Sequence, residues 1–148
     1  MSKQSLVELA DVKSRQRAIL FGFAGLAFLI IQIVVHPAFA NEAYAAGWRK
    51  YSWVFTEVLL LLCLGGGGGI FNPRPLRELI NDEIARSNYR LSCTAGFWAA
   101  MWCAIALYVL PPFQHFTGLQ STYVVVTLST VAAFLKFSWL EYRAHAGA

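Results

Sequence analysis

Glu57 is the residue of this chain whose placement most invites chemistry. It lies inside an apolar stretch of residues 52–71, where an ionisable side chain is rare and costs roughly 2 to 3 kcal/mol near the centre of a membrane-inserted helix. A carboxyl held there can take up and release protons, as a proton-coupled carrier requires. It can equally lie near the interface, satisfied by Arg49, Lys50 or a hydroxyl. His36 and His115 fall at the outer ends of apolar stretches, and with Glu57 or Glu42 they are weak candidates for metal or haem ligation. No paired i,i+4 histidines and no CxxCH accompany them. Cys63, Cys93 and Cys103 have no CxxC spacing and include an odd member, so they read as small apolar packing residues. The run Gly65 to Gly69 is not followed by Gly-Lys-Ser or Gly-Lys-Thr and cradles no phosphate. His145 has no acid placed to orient it. The reading is therefore of a chain with no catalytic residues, no metal and no cofactor.

The elements that would position these residues are membrane helices. Of the 148 residues, 57% are hydrophobic and 14% charged, against roughly half and a quarter in soluble domains. The apolar residues are gathered into blocks able to cross a hydrocarbon layer of about 30 Å, which takes roughly 20 helical residues. The net charge of +4 comes from basic residues flanking these blocks, a pattern of membrane orientation and not of nucleic-acid binding. One domain is expected, with spans at about 18–35, 52–71, 92–110 and 122–140.

Between the spans, local signals add detail. Residues 2–17 have Ser5 and Glu8 at capping-box spacing and apolar residues at helical intervals, which predicts a short amphipathic helix at the interface. His36-Pro37 is expected to end the first span. A basic start, an apolar stretch and Ala38-Phe39-Ala40 also resemble a cleaved signal peptide, although the stretch exceeds the usual h-region. Trp48, Tyr51 and Trp53 form an aromatic belt where the chain re-enters the bilayer. Asn72 and Pro73 open a second amphipathic helix within the loop 72–91, which carries Arg74, Arg77, Asp82, Glu83, Arg86 and Arg90 and runs into the third span. Asp82 and Arg86 stand at ion-pair spacing.

Lys3, Lys13, Arg15 and Arg17, the four arginines of the loop, and Lys136 and Arg143 all fall on one side. Only Arg49 and Lys50 of the twelve Lys and Arg residues fall on the other. The positive-inside rule then puts both termini and the loop 72–91 in the cytoplasm. In the third span Gly96, Ala100 and Ala104 form a small-xxx-small ladder that lets another helix approach closely, and Gly22 is a lesser example in the first. The ladder serves either packing within the chain or contact with another subunit.

Asp82-Glu83-x-x-Arg86-x-Asn88, followed by Ala95-Gly96-Phe97-Trp98, resembles a pattern of uncharacterised small four-helix bacterial inner-membrane proteins, some of them encoded beside helix-turn-helix regulators. That resemblance implies a regulatory or accessory role and no chemistry. The chain also resembles small four-helix drug transporters in size and in having one membrane glutamate. In those proteins the glutamate lies in the first span, and no aromatic substrate box is evident here.

The expectation is an all-α integral membrane four-helix bundle of two transmembrane hairpins, multi-pass in a bacterial inner membrane. Its partners are the lipid bilayer and another membrane subunit or a second copy, with no nucleic acid. The first function expected is a non-enzymatic accessory or regulatory protein. The alternatives are a small proton-coupled transporter using Glu57 and a subunit of a membrane redox or enzyme complex.

Overall fold

The computed structural model of the chain describes residues 3–39, 48–65, 83–111 and 116–146. All the regular structure in them is helical: α1 (Lys3–Phe39), α2 (Trp48–Gly65), α3 (Glu83–Val109) and α4 (Gly118–Ala146), with no strand among the described residues. Three segments are long and apolar enough to cross a membrane, Val12–Val34, Glu83–Val109 and Gly118–Ala144, while the apolar part of α2, Tyr51–Gly65, is shorter.

The N-terminal segment is not a separate interfacial helix. It is the first part of α1, a single helix of 37 residues. Neither glycine nor proline occurs between Lys3 and Gly22, and a change from polar to apolar side chains does not interrupt the backbone i→i−4 ladder. At the other end α1 continues to Phe39, past Pro37, whose missing N–H falls in the final turns, where it forfeits a single ladder bond. Glu83 stands in the first turn of α3, where a negative charge complements the helix dipole, and from there the helix runs unbroken into the apolar segment, while the expected helix start at Asn72 and Pro73 lies outside the described residues. Leu110 N–H still donates to Ala106 O at 2.9 Å before Pro111 stops the run. Helix α4 begins earlier than hydropathy alone places the fourth span. Thr117 Oγ1 accepts from Gln120 N–H (3.3 Å) and Gln120 Oε1 accepts from Thr117 N–H (2.9 Å), a reciprocal capping box.

Helix α4 is the centre of the structure: α1 and α3 make their main contacts with it, and α2 touches it more lightly. Arg17 meets Glu141, Gly25 meets Phe134 and Gln32 meets Tyr123, so α1 runs antiparallel to α4. Asn88 meets Glu141 and Gly96 meets Ser129, so α3 does likewise. Trp53 meets Tyr123 and Glu57 meets Thr130, which makes α2 parallel to α4. Phe21, Leu64, Ala133, Phe134 and Phe137 form the buried apolar cluster, with Phe21 stacked on Phe134 at 5.1 Å between ring centroids. Most other large apolar side chains, from Ile19 and Phe23 on α1 to Trp102 and Tyr108 on α3, face outward. In water so much exposed apolar surface would drive aggregation; against lipid tails it is the expected exterior.

Candidate functional site: two buried polar clusters on the central helix

One face of α4 carries Tyr123, Thr127, Thr130, Phe134, Phe137 and Glu141, each three or four residues from the next and each buried. This is the spacing of a single helical stripe. Its two ends are polar, and each gathers side chains from neighbouring helices.

At the C-terminal end of the stripe Glu141 closes a three-helix cluster. Its Oε2 accepts from Arg17 Nη2 at 2.7 Å and from Ser14 Oγ at 3.0 Å, and its Oε1 accepts from Asn88 Nδ2 at 3.1 Å. Arg17 is 6% exposed and Glu141 3%, and the guanidinium lies over the Phe137 ring, 5.4 Å from its centroid. Helical spacing makes this possible. Ser14 and Arg17 are i,i+3 on α1, while Asn88, Ser92 and Gly96 are i,i+4,i+8 on the buried face of α3. Ser92 O–H donates to the backbone carbonyl of Asn88 at 2.6 Å, one turn back on the same helix face. With both carboxylate oxygens engaged and solvent excluded, this cluster clasps α1, α3 and α4 together.

The second cluster lies toward the N-terminal end of α4. Tyr123 O–H donates to Gln32 Oε1 of α1, and the Tyr123 ring packs on Trp53 of α2 at 5.1 Å between centroids. Glu57 Oε2 accepts from Thr130 Oγ1 at 3.0 Å. Among the described residues, Glu57 Oε1, Thr127 Oγ1 and Trp53 Nε1 are buried without a hydrogen-bond partner. Gln32, Tyr123 and Thr127 also line an apolar cleft of about 810 Å³ between α1 and α3, floored by α4 residues such as Val124 and Leu128.

The other residues singled out by the sequence are distributed as follows. Gly96 is buried against α4: a Cβ added there would lie 2.9 Å from Ser129 O and 3.1 Å from Ala133 Cβ. Gly22 stands opposite Ser138, whose Oγ donates to Ala18 O at 2.7 Å. Ala100 is half-buried and Ala104 is exposed, the latter lining an open cleft with Tyr108, Phe116 and Val125. Glu83, Arg86 and Arg90 are exposed on the first turns of α3. Arg74, Arg77, Asp82, His115 and the run Gly66 to Gly69 lie outside the described residues, as does the side chain of His36. Among the described residues no three His, Cys, Asp or Glu side chains are grouped to hold a metal.

The sequence singled out Glu57 but not Ser14, Arg17, Asn88, Glu141, Gln32 or Tyr123. A signal for the clasp was present: Arg17 and Glu141 are opposite charges flanking two apolar segments on the same side, and Asn88 belongs to the pattern preceding the third.

Helices long and apolar enough to span a bilayer, clad in exposed apolar side chains and joined by buried polar contacts, mark the chain as a helical membrane protein. Comparison with protein-family models, with curated proteins and with solved structures finds no match to it. The likeness in Asp82 to Trp98 therefore assigns it to no family.

Proposed function

We propose that this chain is a multi-pass protein of a bacterial inner membrane, its four helices bundled with both termini and the segment 72–91 on the cytoplasmic side. It acts there as a non-enzymatic accessory or regulatory protein, through helix contacts in the bilayer and through that arginine-rich segment. The observation carrying this reading is the gathering of exposed basic side chains at one end. The contacts of Glu141 bring the early part of α1, the start of α3 and the end of α4 together, and Lys13, Arg15, Arg86, Arg90 and Arg143 are all exposed there. Glu141 engages Arg17, Ser14 and Asn88 inside that end, and the exposed cations are what it offers to an anionic headgroup or a partner protein.

Two measurements test this. In a background with Cys63, Cys93 and Cys103 replaced by alanine, a cysteine at Gly118, where a side chain meets nothing within 4 Å, should react with a membrane-impermeant thiol reagent added to intact spheroplasts. One at the exposed Ser87 should not, and labelling of Ser87 from outside reverses the orientation. Purification from native membranes in mild detergent should then bring down a defined partner, identified by mass spectrometry. The double variant Arg86→Glu/Arg90→Glu should lose at least about tenfold of it, since each lost charge contact of this kind is worth on the order of 1 kcal/mol. Equal recovery by the variant removes the segment from the proposal.

A second reading, a small proton-coupled transporter using Glu57, is favoured by the unpartnered oxygen of that buried carboxyl. It predicts a pH-dependent efflux that Glu57→Gln abolishes.

A further inference from the structure

Glu57 is 4% exposed, as is Thr127, and each presents a buried oxygen with no hydrogen-bond partner among the described residues. Removing a carboxylate from water without balancing its charge costs several kcal/mol even after local relaxation. Among the described side chains, none packed around Glu57 balances it. On its own helix Trp53, one turn earlier, is uncharged. On α4 the hydroxyl of Thr130 bonds it and the phenol of Tyr123 is the titratable group that faces it; Thr127 stands between these two on the same buried stripe. The phenol is engaged with Gln32 of α1, itself neutral. At this level α3 contributes Ala99 and Cys103 to the neighbouring cleft and no charged side chain. The ion pair of Arg17 with Glu141 is at the other end of α4.

From this we infer that Glu57 Oε1 and Thr127 Oγ1, with Thr130 Oγ1 beside them, form a site for one exchangeable monovalent cation, a proton or a sodium ion. Oxygen atoms of a carboxylate and hydroxyls are the donors a hard cation takes. A proton on Glu57 would itself give the carboxyl the donor that Thr127 Oγ1 can accept. The buried indole N–H of Trp53 suits a water accompanying the ion, since buried waters settle where several polar atoms lack partners. The inference goes beyond both functional readings, because a carboxyl can be occupied by an ion without any substrate being moved.

Infrared difference spectroscopy on the full chain in lipid nanodiscs tests it, near neutral pH, in choline chloride and in sodium chloride at equal ionic strength. The wild-type minus Glu57→Gln spectrum in choline should contain either the carbonyl band of a neutral carboxylic acid or carboxylate bands that change on adding sodium. A neutral-acid band that sodium removes assigns both ions to one site, and a neutral-acid band that only alkali removes assigns the proton alone. Thr130→Val, which keeps the carboxyl and deletes its hydroxyl donor, should shift the same bands and so assigns them without altering Glu57. Carboxylate bands in choline that ignore sodium overturn the inference, because the charge is then balanced within the chain. An ion-responsive band with no pH-dependent efflux leaves the site standing and removes only the transporter reading.

Discussion

Replacing Glu141 with alanine should lower the stability of the protein by about 3 to 5 kcal/mol, the usual cost of removing one partner from a buried ion pair. The expected damage is large because three donors lose their acceptor together. Arg17, 6% exposed, is left as a buried charge, and the Ser14 hydroxyl and Asn88 amide lose a carboxylate at 3.0 and 3.1 Å. Titration of the lipid–detergent-embedded protein with a denaturing detergent, followed by circular dichroism or tryptophan fluorescence, reads the loss. The double variant Arg17→Met/Glu141→Met should recover most of it, because an apolar pair of similar volume carries no desolvation cost. If Glu141→Ala unfolds at the wild-type midpoint, the clasp does not hold α1, α3 and α4 together. A double variant no better than the single one would mean that the charges and not the packing are needed.

Gly96→Leu should separate α3 from α4, and even Gly96→Ala should cost about 1 to 3 kcal/mol, the range for overpacking a closely fitted contact. The atom a new Cβ would meet at 2.9 Å is the backbone carbonyl oxygen of Ser129, with Ala133 Cβ at 3.1 Å, and neither can move without moving α4. Gly22 offers an internal comparison. There the nearest atom, at 2.6 Å, is the side-chain Oγ of Ser138, which can rotate away by giving up its bond to Ala18 O, so Gly22→Ala should cost only about 1 kcal/mol. Ala104 is exposed, and Ala104→Leu should stay within about 0.5 kcal/mol of wild type. A graded loss in the order Ala104, Gly22, Gly96 in the same unfolding assay assigns the ladder to packing within the chain at its Gly96 end. Equal, small effects at all three positions would remove that assignment.

The helices were largely legible because hydropathy and length are local properties. The apolar blocks around residues 18–35 and 122–140 lie within long helices, and that around 92–110 does so up to Val109. The ends were less legible. The capping box of Thr117 and Gln120 starts α4 ahead of the apolar boundary, and the polar start of α1 runs into its apolar continuation because nothing in the backbone chemistry requires a break. The partners were not legible at all. Periodicity gives the face on which Asn88, Ser92 and Gly96 stand together, but that this face meets Glu141 and Ser129 depends on how α3 and α4 are set against each other. Glu57 drew attention because it interrupts an apolar run. Glu141 and Arg17 did not, because charges at the end of a membrane segment are ordinarily solvated and carry orientation alone.

The central place of α4 bears on how the protein is made. Translation delivers the chain from its N-terminus, and membrane helices insert singly before they associate. Until residues 118–146 leave the ribosome, α1 and α3 lack the helix that supplies their main contacts. During that interval Arg17 and Asn88 lack the Glu141 carboxylate that engages both in the complete chain. Completion of the last helix is thus the step that commits the others.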